Sequence, residues 1–170
     1  MRRGRIFPAL VGGLLLAAAA EAIKPENVVE LRVEPARVRV APGGTAKFTL
    51  VATIQEGFHT NSNQPTLDYL VATGVELAPP TAGLAGEPAF TLEKVEYPAG
   101  EMKEFGFAPD QALSVYEGTV RIPVELRAKP EATPGRHTLR LVFRYQACND
   151  QLCLRPTRKE AKLTIEVSPQ

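Results

Sequence analysis

After residue 22, apolar and polar side chains alternate along short runs. Proline or glycine breaks each run before a helical period can establish itself. Alternation of period two marks strands with one face buried, and strands this short cannot stand alone. The runs are "VVELRV" (28–33), "RVRV" (37–40), "TAKFTLVATI" (45–54), "VELA" (75–78), "FTLEKVEYP" (90–98), "GTVRIPVEL" (118–126), "TLRLVFRYQA" (138–147) and "AKLTIEV" (161–167). In the third run Phe48, Leu50 and Ala52 share one face. About eight strands with turn signals such as "APGG" and "KPEATPG" predict an all-β, immunoglobulin-like antiparallel β-sandwich. Two segments break the rhythm. Residues 56–74 and 98–118 are predicted to be long connections, the second carrying Phe105, Phe107 and Tyr116; aromatic side chains argue against disorder there.

Residues 1–22, "MRRGRIFPALVGGLLLAAAAEA", read as a secretory signal peptide: Arg2, Arg3 and Arg5 ahead of an apolar run, then a small-x-small cleavage site at Ala20-Glu21-Ala22. The alternative is an uncleaved anchor. Cleavage would leave residues 23–170 as one domain with no apolar stretch long enough to span a membrane. With its three arginines and one glutamate removed, the 20 basic and 19 acidic side chains become 17 and 18. Charges so balanced and interspersed give no footing for nucleic acid or for an anionic membrane.

Export bears on Cys148 and Cys153, the chain's two cysteines, because a disulfide persists outside the reducing cytosol. They sit in "YQACNDQLCLRP" (145–156), between two runs that would pair as an antiparallel hairpin. Facing residues of such a pair approach closely enough to be bridged. Three readings are open: a structural staple, a redox pair and a metal site. A staple over so short a loop gains only about 2 kcal/mol in the chain-entropy model, against nearly 5 for a loop of about 100 residues. A hairpin-tip disulfide is also open to an attacking thiolate, as exchange chemistry requires. A zinc site lacks ligands, since His59, His137 and Met102 are the other soft candidates; a Cu(I) site on two thiolates stays open. His137, after "ATPGR" at a strand start, reads as a surface turn residue. No phosphate loop, HExxH or Gly-x-Ser-x-Gly elbow is present.

The stretch "YQACNDQLCLRP" resembles the N-terminal periplasmic domain of the protein-disulfide reductase DsbD. The resemblance extends over "GFHTNSNQPTLDYLVATGVEL" (57–77), "VEYPAGEMKEFGF" (95–107) and "LSVYEGTVRIPVEL" (113–126), in order, and so covers about residues 28–167. It implies an immunoglobulin-like domain whose Cys148 and Cys153 exchange disulfides, Cys153 forming the mixed disulfide and Cys148 resolving it. Glu104 and Phe105 fall where the family has an acidic-aromatic cap over the disulfide, with Phe107 a second candidate. His59 and Asn61 fall where relatives place polar or aromatic side chains near the cysteines. Implied partners are thioredoxin-like and disulfide-isomerase proteins, apocytochrome (cytochrome c) maturation factors and a membrane electron donor, in the periplasm. The sulfurs carry the electrons, so no metal, flavin or nucleotide cofactor is implied. Three departures are visible, one being that the spacing between the cap position and Tyr116 differs from the best-known bacterial pattern. Full-length relatives continue into a membrane electron conductor and a thioredoxin-like domain, so electrons are expected from a separate protein. "CLRP" also puts Arg155 where the family often has proline. The rival readings are a non-catalytic binding or assembly sandwich with a structural disulfide, and a Cu(I)-binding periplasmic protein.

Overall fold

A computed structural model describes residues 23–79 and 89–169; the expected signal peptide lies outside them. The alternating runs become strands where expected. They are β1 (Val29–Glu34), β2 (Arg37–Val40), β3 (Thr45–Ile54), β5 (Gly74–Leu77), β6 (Phe90–Val95), β9 (Thr119–Ala128), β10 (Gly135–Tyr145) and β12 (Thr157–Val167). They form two sheets, ordered β1-β3-β9-β6 and β2-β12-β10-β5. All pairings are antiparallel except β2 with β12.

The core lies between these sheets and follows the alternation. Phe48, Leu50, Ala52 and Ile54 of β3 and Val120, Ile122, Val124 and Leu126 of β9 meet Leu141, Phe143 and Tyr145 of β10 and Leu163 and Ile165 of β12. Each fully buried side chain of this size contributes roughly 1.5–3 kcal/mol relative to exposure. The polar partners in each run, such as Lys47, Arg121 and Lys162, stay exposed. The immunoglobulin-like sandwich is therefore present. His137 differs from expectation: it lies in β10, edge-on to Phe90 with ring centroids 5.2 Å apart, its Nε2 2.7 Å from the Thr133 carbonyl.

Of the two expected long connections one is regular and the other largely remains a loop. Residues 98–118 form a hairpin, β7 (Glu101–Phe105) and β8 (Ala108–Tyr116), and residues 56–74 contain β4 (His59–Asn61). A two-residue strand, β11 (Ala147–Cys148), completes a third sheet of order β11-β4-β8-β7. β11 was expected to continue β10. Instead the chain breaks at Gln146 and passes to the neighbouring sheet, because Ala147 and Cys148 pair with Thr60 and His59.

This third sheet has its own small core. Phe105, Leu113 and Val115 are buried beneath Leu67 and Leu70 of the 62–73 loop. The loop is tied down by short polar links. Thr73 Oγ1 donates to the Asn61 carbonyl at 2.6 Å, the Asn61 side-chain amide donates to the Val71 carbonyl at 3.1 Å, and the Ser114 N–H donates to Thr66 Oγ1 at 2.9 Å. Gly100 leads into β7 where no larger residue fits, for a Cβ there would stand 2.2 Å from Ser114 Oγ and 2.8 Å from Ser62 Cβ.

Candidate functional site

Cys148 and Cys153 are joined as a disulfide, their Cα atoms 4.0 Å apart on facing arms of the hairpin tip. Sequence explains the tip. Asn149 opens the turn, and its side-chain oxygen accepts the N–H groups of Gln151 and Leu152, both at 2.9 Å, an Asx-type arrangement that closes the chain tightly. Backbone bonds from Asn149 N–H to the Leu152 carbonyl (2.9 Å) and from Leu154 N–H to the Ala147 carbonyl (2.8 Å) hold the arms on either side of the sulfurs.

The two cysteines are not equivalent. Cys148 is 1 % exposed, whereas Cys153 belongs to the exposed turn. Cys148 also pairs across the β4–β11 ladder with His59. Residues directly opposite in an antiparallel pair project side chains to the same face. His59, Cys148 and Cys153 therefore form one row across three neighbouring strand segments.

His59 is 2 % exposed, and among the described residues its Nε2 has no hydrogen-bond partner. Phe105 stacks on the imidazole with ring centroids 4.2 Å apart, and Phe107 stacks on Phe105 at 5.3 Å. The aromatic column thus covers the histidine at the buried end of the row. Phe105 is buried and Phe107 is 47 % exposed. Glu104 points outward, at the register shift in the β7–β8 ladder between Lys103 and Phe105. Asn61 is buried, and its side-chain amide donates to the Val71 carbonyl, which ties it to the 62–73 loop. Of the residues singled out from the sequence, the structure gathers Cys148, Cys153, His59, Phe105 and Phe107; Glu104 and Asn61 stand at its margins.

Two neighbours in the cysteine motif carry more of the geometry than their spacing announces. The Tyr145 hydroxyl donates to the Pro25 carbonyl at 2.8 Å, pinning the end of β10 to the start of the domain; burial pushes its phenol up to about 12. The Gln146 amide donates to the Leu154 carbonyl at 3.1 Å, bracing the hairpin below the disulfide. A tyrosine-glutamine pair just before the first cysteine was the available signal.

Burial holds the His59 imidazole below the ordinary histidine value. Glu117 and Asp150 oppose that shift, and Lys103 adds to it. The folded protein therefore favours neutral His59. The unfolded chain takes up a proton near pH 6.5, so this contribution to stability is present above about 6.5 and is lost as pH falls through the lower folded value. The melting temperature of the wild type is expected to drop more steeply between about pH 7 and 5 than that of His59→Phe. Parallel slopes would remove the assignment.

An immunoglobulin-like sandwich with a facing-strand disulfide beside a stacked histidine and phenylalanine pair is the class that fold and site define. The family model for the N-terminal domain of the thiol:disulfide interchange protein DsbD matches residues 28–165, and the chain belongs to that family. Among solved structures, the N-terminal periplasmic domain of ScsB from Proteus mirabilis shares the fold. Its TM-score is 0.54 at 17 % identity, over 84 % of this chain and 48 % of that one, so the present chain spans about half of it. A family 123 glycoside hydrolase from Clostridium perfringens (TM-score 0.39, 10 % identity, 82 % of this chain and 27 % of that one) is more distant. So is the major pilin subunit BcpA of Bacillus cereus (0.43, 8 %, 82 % and 39 %). No curated protein matches the chain.

Proposed function

We propose that the protein is an exported thiol–disulfide exchange protein that passes two electrons to partner proteins through Cys148 and Cys153. The observation that carries the proposal is the asymmetry of the disulfide, one sulfur buried in a ladder and the other at an exposed turn. Exchange proceeds by attack of a thiolate along the S–S axis, so one sulfur must be reachable and the other must be able to leave and return. In the reducing direction the Cys153 thiolate attacks a partner disulfide and forms a mixed disulfide. Cys148 then attacks Cys153, the Cys148–Cys153 bond forms, and the partner leaves as a dithiol.

The surroundings support a protein partner over a small thiol. Met102 (61 % exposed), Phe107 (47 %) and Leu152 (50 %) are among the few large apolar side chains left exposed, and all belong to the cap hairpin or the disulfide turn. Exposed apolar side chains in the segments that carry a reactive group suit a docking partner. Family membership supports partners of thioredoxin-like or disulfide-isomerase type, a membrane electron donor and a periplasmic location. Among the described residues no helix is long and apolar enough to cross a membrane.

The test is electron transfer to a thioredoxin-fold protein. Reduced protein is mixed with an oxidised thioredoxin-fold disulfide isomerase, quenched in acid and alkylated. Loss of both free thiols here, matched by gain of two thiols on the partner within minutes, is the expected result. Thiols that stay unchanged on both proteins for hours would leave the disulfide a structural staple.

A further inference from the structure

A buried polar atom without a partner costs free energy comparable to a lost hydrogen bond, so an orphan of this kind in a folded protein calls for a reason. Among the described residues His59 Nε2 is such an atom, and it belongs to a side chain 2 % exposed. Its cross-strand neighbour is Cys148. In the disulfide the Cys148 sulfur has neither a proton to give nor a charge to be stabilised. When the bond opens, that sulfur becomes a thiol or thiolate inside a buried row. The partner that Nε2 lacks in the oxidised protein is then supplied by the reaction itself.

We propose that His59 is the acid–base partner of Cys148, taking its proton when Cys148 resolves the mixed disulfide and returning one when the pair is opened. The proposal rests on the exchange reading above. In resolution the neutral Nε2 accepts the Cys148 thiol proton, and the resulting thiolate attacks Cys153 Sγ. The Cys148–Cys153 bond forms, the Cys153–partner bond breaks, and its electron pair leaves on the partner's sulfur. In the reverse direction a partner thiolate attacks Cys153 Sγ. The electron pair of the broken bond goes to Cys148 Sγ, and a proton on Nε2 passes to it.

The charged groups acting on His59 are Lys103 of β7, Glu117 after β8 and Asp150 of the disulfide turn. Lys103 and Glu117 are ion-paired to each other, so their fields on the imidazole oppose. A Cys148 thiolate is the new charge that appears in the row during the reaction, and it draws a proton onto the imidazole. Phe105, stacked on the ring, holds it in register for this exchange.

The test separates the two chemical steps. Reduced protein is mixed with excess glutathione disulfide over about pH 5–9. Mass spectrometry of acid-quenched samples then gives the rate at which the glutathionylated protein forms and the rate at which it closes to the disulfide. His59→Phe preserves a ring to stack on Phe105 and removes the nitrogen. Its first step is expected to stay within about threefold of wild type. Its closure is expected to slow about a hundredfold near pH 7, and the lower ionisation should vanish from the closure profile. His59→Gln keeps a hydrogen-bonding amide without a titrating proton and is expected to show the same loss, which guards against a packing defect in either variant alone. Closure at the wild-type rate with an unchanged pH profile in both variants would overturn the proposal while leaving exchange intact. A wild type that never becomes glutathionylated would overturn the exchange reading, and this proposal with it.

Discussion

Cys148→Ser is expected to halt exchange halfway, leaving the protein covalently joined to its partner through Cys153, whereas Cys153→Ser is expected to abolish exchange altogether. The difference follows from burial. Cys153 lies on the exposed side of the turn, where a partner sulfur can line up with it, while Cys148 is 1 % exposed between β4 and the opposite arm. A mixed disulfide on Cys153 is normally cleared by a neighbour already held in the facing position. Well-oriented intramolecular attack reaches effective concentrations of about 10⁵ M, roughly 10⁸ times that of a millimolar external thiol, so resolution from outside is slower by many orders of magnitude. The Cys148→Ser complex should therefore survive on non-reducing gels for hours and disappear with dithiothreitol. Neither substitution should unfold the domain. The closed loop is short, and its loss removes about 2 kcal/mol in the chain-entropy model. The main core lies between the other two sheets and does not include the cysteines. Adducts that form through Cys148 in the Cys153→Ser variant would reverse the assignment of roles.

Phe105→Ala should have the second-largest effect, on protection of the disulfide. Phe105 does two things at once: it stacks on His59 and forms the small core of the third sheet with Leu113 and Val115, under Leu67 and Leu70. Truncating a buried phenylalanine costs about 3–5 kcal/mol. Here the loss falls on a satellite cluster, so it should appear as local opening of the β7–β8 cap hairpin before global unfolding. Each 1.4 kcal/mol is a factor of ten in the open population, so reduction by dithiothreitol should accelerate by about a hundredfold or more. Phe107→Ala is the comparison. Phe107 is 47 % exposed and stacks only on the outer side of Phe105, so an acceleration of a few-fold is expected. Identical reduction rates for wild type and Phe105→Ala would show that the ring does not guard the sulfurs.

The sandwich was legible because its strands bury one face and wet the other. Phe48, Leu50 and Ala52, or Leu163 and Ile165, recur with the period that a two-sided sheet requires. The sheet that carries the site was not. β4 is His-Thr-Asn, three polar residues that are all buried, an arrangement that hydropathy reads as loop. β7 and β8 mix Lys103 and Ser114 with Phe105, Leu113 and Val115, and a register shift at Glu104 breaks the alternation in the middle. β11 hides inside an apparent continuation of β10, because nothing in "YQAC" announces that the chain changes sheets. Local pattern predicts strands that feed a large core; strands held by polar links and a small cluster of their own carry little of that signal.

The site divides along the same line. Two cysteines with four residues between them, flanked by pairing strands, pointed to a facing disulfide, and the structure holds one. Phe105 and His59 entered through family resemblance, and their mutual stacking is a relation between segments more than forty residues apart that no local pattern contains. Asn61 also entered by resemblance, and its link to Val71 across the 62–73 loop is likewise a relation that no local pattern contains.

The most direct test is a redox titration of the wild-type protein in glutathione buffers, with alkylation to count free thiols and far-ultraviolet circular dichroism with thermal unfolding at each point. The expected result is a reversible two-electron transition that converts Cys148 and Cys153 between joined and free while the β spectrum stays constant and the melting temperature falls only modestly. A disulfide that resists reduction until the protein unfolds, or whose reduction collapses the spectrum, would contradict it.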